Sequence, residues 1–377
     1  SLPVDKAKVL ANGTVALKDS ALVVDQLRWE LKSGEINQVL KAYLVMMDIL
    51  AHNNWERPIY YASTTGPEAY FGLEEYFQLE GLAYRLVPIK SQNRGGYDIG
   101  RVDSKILYDK LINLFEDHTR LDRVKNPDAP KKEAYPYAWG GLNDPRVYNC
   151  EDNIRLTPLI RSTYQRLAET LIAENQIERA EYVLDRGNVV LSSKTLPYVT
   201  TYKSDYALWC LNYMQSYFKL NTATGEKKGM AMGNEIVNSL VENFNWYENQ
   251  SDRTIKIQTD NIISDFYTIG QMLNQLNGAQ IAQLQKPLKQ IRMDKTANVA
   301  IETLNDRLNA QIANMETQQQ SVVRSFQELK NLLDFAQISG NDAVAKKTIA
   351  IIEHHLKTID GMSPQLGAAF RDFVFKQ

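Results

Sequence analysis

The apolar pattern of the second half of the sequence constrains the fold most strongly. From Glu151 onward, large apolar residues recur at three- and four-residue steps, the spacing of one face of an α-helix. Small residues stand at Ala168 and Ala180, where a larger side chain would push two antiparallel helices apart. The pattern in this part comprises Tyr164, Leu167, Ala168, Leu171, Ala180 and Leu184. We therefore predict a mostly α fold, with paired antiparallel helices over residues 151–292.

The order large, large, small, large is typical of the tetratricopeptide repeat, a helical hairpin that stacks on its neighbours. A third, irregular copy is predicted near residues 206–213, and the alternative is a set of generic helical hairpins. The concave face of such arrays usually binds the partner, so we predict Gln165, Glu169 and Ile172 as binding residues. A second copy is formed by Phe266, Ile269, Gly270, Leu273 and Ala282, although Lys286 occupies an expected apolar position.

Residues 293–377 are predicted to form a long helix followed by returning helices. Ser339-Gly340-Asn341-Asp342 ends the long helix, and Gln319 fills one of its apolar positions. We expect this helical hairpin to pack on the repeats, and the alternative is an exposed coiled-coil stripe that recruits a partner. The nearly heptad seam consists of Ile301, Leu304, Leu308, Ile312, Met315, Val322, Phe326, Leu329 and Leu333.

Residues 1–125 mix helix and strand signals and are predicted to form a small α+β module. Asn12-Gly13 favours a tight hairpin over Lys8–Ala16. Residues 126–150 are rich in proline and glycine, which predicts a linker or an ordered crossing loop. The other predicted elements are a helix over Ile36–Leu50 with Tyr43, Leu44, Met47 and Leu50 on one face, strands at Pro58–Ala62 and Leu79–Ile89, and a helix over Asp103–Phe115.

Charge and cysteine content exclude several classes of protein. The formal net charge of −2 lacks the basic footprint of a nucleic-acid binder. Two cysteines are too few for a disulfide-dense scaffold or a multi-thiolate metal site. The most apolar helix is interrupted by Lys41 and Asp48 and is shorter than the about 20 apolar residues of a membrane span. The chain begins at Ser1 without a leader, so we expect an excised or processed chain.

No sequence motif predicts a catalytic residue, a cofactor or a metal site. Asp48 and His52 share a helix face, but a metal site needs a third or fourth ligand and none is adjacent. A carbohydrate-active or carbohydrate-binding alternative remains open, because Glu74, Glu75 and Glu80 lie near aromatic residues. Paired carboxylates beside a sugar-stacking surface are what a glycosidase needs. The glycan-binding candidates on this alternative are Tyr70, Glu74, Glu75 and Tyr76.

Four segments carry a resemblance to a known family. They are Leu50–Ala62, Gly72–Pro88, Gly100–Asp103 and Asn143–Tyr148. These segments resemble the C-terminal soluble part of large membrane proteins from Bacteroidetes, the protein O-mannosyltransferase-like glycosyltransferases. The resemblance covers roughly the first half of the chain and thins after the first predicted repeat.

The resemblance implies that the catalytic residues lie in a multi-span membrane region outside this chain, so none maps here. It also implies a periplasmic domain whose partners are a protein or glycan acceptor and the parent membrane domain. The residues themselves predict that Trp55 packs beneath a strand and that Arg57 is available for a buried carboxylate. We therefore expect a non-catalytic interaction and positioning domain, with no nucleic-acid partner.

Overall fold

A computed structural model describes residues 1–29, 41–65, 67–70, 72–91, 98–113, 142–199 and 205–375. The chain divides into two compact units, Ser1–Leu196 and Pro197–Gln377. A small N-terminal α+β region is followed by helices, which confirms the predicted mostly α fold class. The predicted divisions after residues 125, 150 and 292 stay predictions, and residues 126–141 of the proline- and glycine-rich stretch lie outside the described ranges.

Two small sheets organise the first unit. An antiparallel pair joins β1 (Leu2–Pro3) to β2 (Gln26–Leu27). The larger sheet has the strand order β3-β5-β4-β6, so β3 is an edge strand. Strand β5 is antiparallel to both neighbours, and β6 runs parallel to β4. Its strands are β3 (Tyr60–Ala62), β4 (Phe77–Glu80), β5 (Ala83–Leu86) and β6 (Arg101–Val102).

The strand predictions are confirmed in one place and wrong in two. Strand β3 lies inside the predicted Pro58–Ala62 segment. The single strand predicted over Leu79–Ile89 is instead the end of β4, a turn and β5, because Gly81 adopts a φ of 72° that reverses the chain. The hairpin predicted at Asn12-Gly13 is helix α1 (Lys6–Ala11), which the Asp5 carboxylate caps by accepting a hydrogen bond from the Lys8 N–H at 3.0 Å.

Helix α2 (Lys41–Asn53) overlaps the helix predicted over Ile36–Leu50, and residues 30–40 lie outside the described part of the chain. Of the predicted apolar face, Leu50 is buried, and Tyr43 and Met47 are half-buried. Leu44 was predicted on this face but is 55% exposed, so the buried face of α2 is narrower than predicted. Helix α3 (Ser104–Tyr108) follows β6 and continues as a π-helical turn over Asp109–Asn113.

The first predicted helical hairpin is present in the first unit. Helix α4 (Glu151–Ala173) packs on α5 (Ile177–Val190), and Asn175 turns the chain between them with a φ of 58°. Ala168 and Ala180 are fully buried, as a close approach of the two helices requires. The described residues of this unit therefore combine a sheet, short helices and one long helical hairpin.

The second unit is helical throughout its described residues. The predicted heptad seam is buried, so it forms core contacts and not an exposed coiled-coil stripe. The long helix predicted there is two helices, because the chain turns at Ala313 and Asn314. The helices are α6 (Asp205–Lys219), α7 (Ala223–Glu248), α8 (Asp252–Ile257), α9 (Thr259–Gln275), α10 (Gly278–Leu288), α11 (Asp294–Ile312), α12 (Met315–Ser339), α13 (Asp342–Met362) and α14 (Pro364–Phe375).

The second predicted repeat copy does not pack as its pattern predicts. Gly270 faces Asn331 of α12, and a Cβ on this glycine would overlap the Asn331 side chain. Ala282, predicted as the small residue of the partner helix, is exposed. The small residue at 270 therefore allows α12, and not α10, to approach α9.

Within the described ranges, no helix combines the length and the apolar character that crossing a bilayer would require.

Candidate functional site

The turn between α2 and β3 adopts an unusual backbone conformation. Asn54 and Trp55 have φ values of 42° and 57°, in a backbone region that residues other than glycine rarely adopt. Asn53 holds this turn closed. Its Nδ2 donates to the Arg57 carbonyl at 2.9 Å, and its Oδ1 accepts from the Arg57 N–H at 3.3 Å. Strained backbone of this kind persists only where the surroundings impose it, and it is concentrated at functional sites.

Trp55 anchors the turn to the rest of the first unit. Its ring is buried, at 7% exposure, and its Nε1 donates to the Pro3 carbonyl at 2.9 Å. Asn12 Nδ2 donates to the Trp55 carbonyl at 2.7 Å. These contacts join the turn to β1 and to the residue that follows α1. Packing of Trp55 beneath a strand stays a prediction.

An open, mainly apolar groove lies between α2 and β3, and we call it the α2–β3 groove. Its volume is about 340 Å³, which is within the usual range for ligand pockets. Ile49 contributes a side chain that is 54% exposed and faces the groove. The lining residues are Met46, Ile49, Leu50, Ile59, Tyr60, Tyr61, Ala62, Thr65 and Ala69.

A smaller, more polar cavity of about 50 Å³ adjoins the groove and shares Leu50 and Ile59 with it. Arg57 and Asn53 contribute polar groups to this smaller cavity, and Trp55 forms part of its wall. The Arg57 side chain is exposed, and among the described residues no carboxylate pairs with its guanidinium. Arg57 was predicted to be available for a buried carboxylate, and the described residues contain no such pair.

One edge of strand β3 has no neighbouring strand among the described residues. The Leu86 N–H donates to the Ile59 carbonyl, and the Ser63 N–H donates to the Leu82 carbonyl. In this antiparallel register, Tyr60 and Ala62 therefore direct their N–H and C=O groups away from β5. The Ala62 carbonyl accepts from the Thr65 N–H at 3.2 Å. The Tyr60 N–H, the Tyr60 carbonyl and the Ala62 N–H have no partner within the described part of the chain.

A polar cluster around the buried Glu80 carboxylate contacts the Tyr60 side chain of β3. Glu80 accepts hydrogen bonds from Tyr60 Oη at 2.9 Å, from Lys110 Nζ at 2.8 Å and from Gln78 Nε2 at 2.9 Å. Burial alone would raise the pKa of Glu80, but the bonds from Lys110, Tyr60 and Gln78 outweigh it and lower the pKa. Burial and the neighbouring Glu80 charge raise the pKa of Tyr60. The cluster holds Tyr60 in place and leaves no carboxylate oxygen of Glu80 facing solvent.

The glycan-binding candidates do not form an open aromatic surface. Tyr70 and Tyr76 are each 2% exposed, with Tyr70 packed edge-on against Phe77 and Tyr76 bonded through its hydroxyl to the backbone of Arg28. Glu74 and Glu75 are half-buried, and Glu75 forms an ion pair with Lys90 at 3.0 Å. The two rings lie in the core, so they offer no face on which a sugar can stack.

The repeat-groove candidates lie together on α4. Gln165, Glu169 and Ile172 are all half-buried, on the side of the helix away from Tyr164 and Ala168. Their role in binding stays a prediction.

The histidine candidates show no metal site. His52 Nδ1 lies 3.2 Å from Asp48 on the exposed side of α2. No group of three or more His, Cys, Asp or Glu side chains in the described ranges is placed to hold a metal ion. His118 belongs to residues 114–141, which the structure does not describe.

Sequence reasoning did not identify Met46, Ile49 or Tyr60 as site residues. The sequence does contain a pattern that could have identified the two α2 residues. Val45, Met46 and Ile49 lie outside the predicted face, so α2 is apolar on more than one side. A surface helix usually carries one apolar stripe, so a second stripe indicates a second contact.

Comparison with known proteins gives one match. Residues 1–106 match the family described as TMEM260-associated domain 2. This likeness is consistent with a TMEM260-like protein and suggests a domain of a membrane-associated protein. The matched region includes α2, β3 and the whole α2–β3 groove. No curated protein and no solved structure matches the chain.

Proposed function

We propose that this chain is a non-catalytic interaction domain of a membrane-associated, glycosyltransferase-like protein, and that it binds a protein or glycan partner in the α2–β3 groove. The observation that carries the proposal is the groove itself: an open apolar cleft of about 340 Å³ whose outer wall includes the exposed Ile49 side chain. Exposed apolar surface bordered by polar groups is typical of interaction sites.

Two further observations support the finer parts of the proposal. The match over residues 1–106 contains the segments Leu50–Ala62 and Gly72–Pro88, which resemble the O-mannosyltransferase-like proteins of Bacteroidetes. On that resemblance we place the domain in the periplasm, beside the membrane half that carries the catalytic residues. The helical hairpin of α4 and α5, with Ala168 and Ala180 between the helices, supports one tetratricopeptide-like repeat.

The proposed role is to hold an acceptor near the membrane site. A second binding contact on the same polypeptide makes the encounter with the catalytic half intramolecular, which raises its effective concentration without new bond chemistry. Loss of the groove should therefore lower the extent of modification of the bound partner and leave other partners unaffected.

Site-specific crosslinking in cells that make the natural protein tests the proposal. A photoreactive amino acid replaces Ile49 in one variant and Leu44 in another, since both side chains are about equally exposed on α2 but only Ile49 lines the groove. We expect one defined partner to be trapped from position 49 and not from position 44.

A second measurement connects the trapped partner to function. Ile49→Asp should lower glycosylation of that partner, whereas Leu44→Asp, a matched control on the same helix but outside the groove, should not. Equal crosslinking from both positions, or unchanged glycosylation with Ile49→Asp, would contradict the proposal.

A further inference from the structure

We propose that the α2–β3 groove receives the free C-terminal end of an extended peptide, which adds to β3 as an antiparallel strand and places its carboxylate beside Arg57. This inference deepens the proposed function and rests on it, because it specifies the chemical class of the partner. It follows from the unpaired backbone groups of β3, from the apolar lining of the groove and from the charge of Arg57 in the adjoining cavity.

The edge of β3 supplies the hydrogen bonds that an added strand needs. On the free edge of β3, Tyr60 presents both its N–H and its carbonyl and Ala62 presents its N–H, and both residues line the groove. An extended peptide satisfies such groups by forming a new ladder, a recurring mode of peptide recognition. A glycan or a lipid chain lacks the alternating donors and acceptors that would match them.

The ladder has a defined end on each side. Pro58 has no N–H, so the ladder cannot continue fully beyond Tyr60 in that direction. At the other side, the Ala62 carbonyl is already occupied by Thr65, whose Oγ1 donates to it at 2.6 Å. The edge therefore suits a short segment and not a long strand.

The direction of the added strand follows from where the charge lies. A ligand antiparallel to β3 runs from Ala62 towards Pro58, so its C-terminal end arrives beside Arg57. Arg57 lines the smaller polar cavity that adjoins the groove at Leu50 and Ile59. A guanidinium recognises a carboxylate by two parallel hydrogen bonds. The nearest acidic residue in sequence, Glu56, is paired with Lys8 at 3.2 Å and so does not neutralise Arg57.

The groove also provides for one apolar side chain. Met46, Ile49 and Leu50 form one wall, opposite β3. In an added strand, alternate side chains point to opposite faces, so one apolar residue enters the cleft while its neighbours stay outside. The expected ligand is an extended peptide that has a large apolar residue near its C-terminus and ends in a free carboxylate.

Binding of synthetic peptides to the whole chain tests the inference. The probe is a fluorescein-labelled library with randomised C-terminal residues, made once as free acids and once as amides, and binding is followed by anisotropy. We expect the best free acid to bind about tenfold more tightly than its amide, because the charge-assisted bonds to Arg57 are lost in the amide. Equal binding of acid and amide would overturn the inference.

Three variants assign the contacts. Arg57→Gln should weaken the acid about tenfold and leave the amide unchanged. Ile49→Asp should abolish binding of both forms, and Leu44→Asp should change neither. All three positions are exposed, so circular dichroism is expected to show unchanged folding.

The strand addition itself is tested on the ligand, so that folding of the protein is not affected. N-methylation of the ligand residue that pairs with Tyr60 removes one ladder hydrogen bond and should abolish binding, whereas N-methylation of the next residue should not. Hydrogen exchange at the Tyr60 and Ala62 amides should slow on binding. Equal effects of the two N-methyl peptides would refute the strand geometry.

Failure of this inference is distinguishable from failure of the proposed function. If position 49 traps a partner whose glycosylation depends on Ile49 but no peptide acid binds, the groove is a binding site for another class of ligand and the inference is wrong. If neither occurs, the proposed function is wrong as well.

Discussion

Replacing Asp265 by Asn should stabilise the second unit at neutral pH and above. Asp265 lies on α9 and is 2% exposed, and burial raises the pKa of its carboxyl from the usual 3.8 to about 7, with the nearby Asn243 side chain only partly opposing the effect. Burial and the Asp265 charge also raise the pKa of Tyr247. The folded protein therefore holds a proton on Asp265 that the unfolded chain has already released above about pH 4.

The sign and size of the effect follow from this difference. Because the pKa is higher in the folded state, the contribution of Asp265 to the free energy of unfolding is greatest below pH 3.8 and falls as the pH rises towards 7. A change from 3.8 to about 7 corresponds to a loss of about 4 kcal/mol, taken as an upper limit. An amide at this position does not titrate. Asp265→Asn should therefore raise the free energy of unfolding by a few kcal/mol above pH 7 and by almost nothing near pH 4.

Hydrogen exchange of the α9 amides measures the local change in stability, after correction for the intrinsic dependence of exchange on pH. The comparison is the opening free energy of wild type and Asp265→Asn at pH 4.5 and pH 8. Asp306→Asn, an exposed change on α11, is the control and should show no such difference. An equal effect of Asp265→Asn at both pH values, or a loss of stability at pH 8, would refute the reasoning.

Three further changes test other packed groups. Glu80→Ala should destabilise the first unit by about 3–5 kcal/mol, because it leaves the half-buried Lys110 without its partner and removes the bonds to Tyr60 and Gln78, as calorimetry can measure. Gly270→Ala should cost about 1–3 kcal/mol in thermal unfolding, because the new methyl group overlaps Asn331. Burial lowers the pKa of His355 to about 4, so its contribution to stability should fall as the pH drops from 6.5 to 4, and His355→Gln should flatten that dependence in denaturant unfolding.

Each of these changes has a matched control in the chain. Glu75→Ala removes an exposed ion pair with Lys90 and should change stability little. Gly278→Ala adds a methyl group that meets no atom within 4 Å, so overlap should not contribute to its effect. His354→Gln alters the exposed neighbour, whose charge makes the smaller contribution to the lowered pKa of His355, so it should flatten the pH dependence much less than His355→Gln.

The sequence predicted the helical core well, because helical periodicity is a local property. Residues of the heptad seam such as Leu304 and Phe326 are buried as their spacing predicts. The break at Ala313 and Asn314 was not predicted, since neither residue is a strong helix breaker and the apolar spacing continues across it.

Long-range packing explains the other errors. The pattern at Gly270 resembles that at Ala168, yet the first faces a helix far along the chain and the second lies against the next helix. A small residue indicates that another element comes close, and it does not indicate which one. The tetratricopeptide-like spacing therefore predicted a close helix contact correctly in both places and its partner in only one.

The α2–β3 groove depends on a contact that no local pattern contains. Trp55 reaches Pro3, fifty-two positions away along the chain, and this bond together with the left-handed backbone at Asn54 sets the course of the turn from α2 to β3. Ile49 of α2 and residues of the edge strand β3 line the same groove on either side of this turn. A local pattern of apolar residues records neither the Trp55 contact nor the left-handed backbone, so the sequence did not predict the groove.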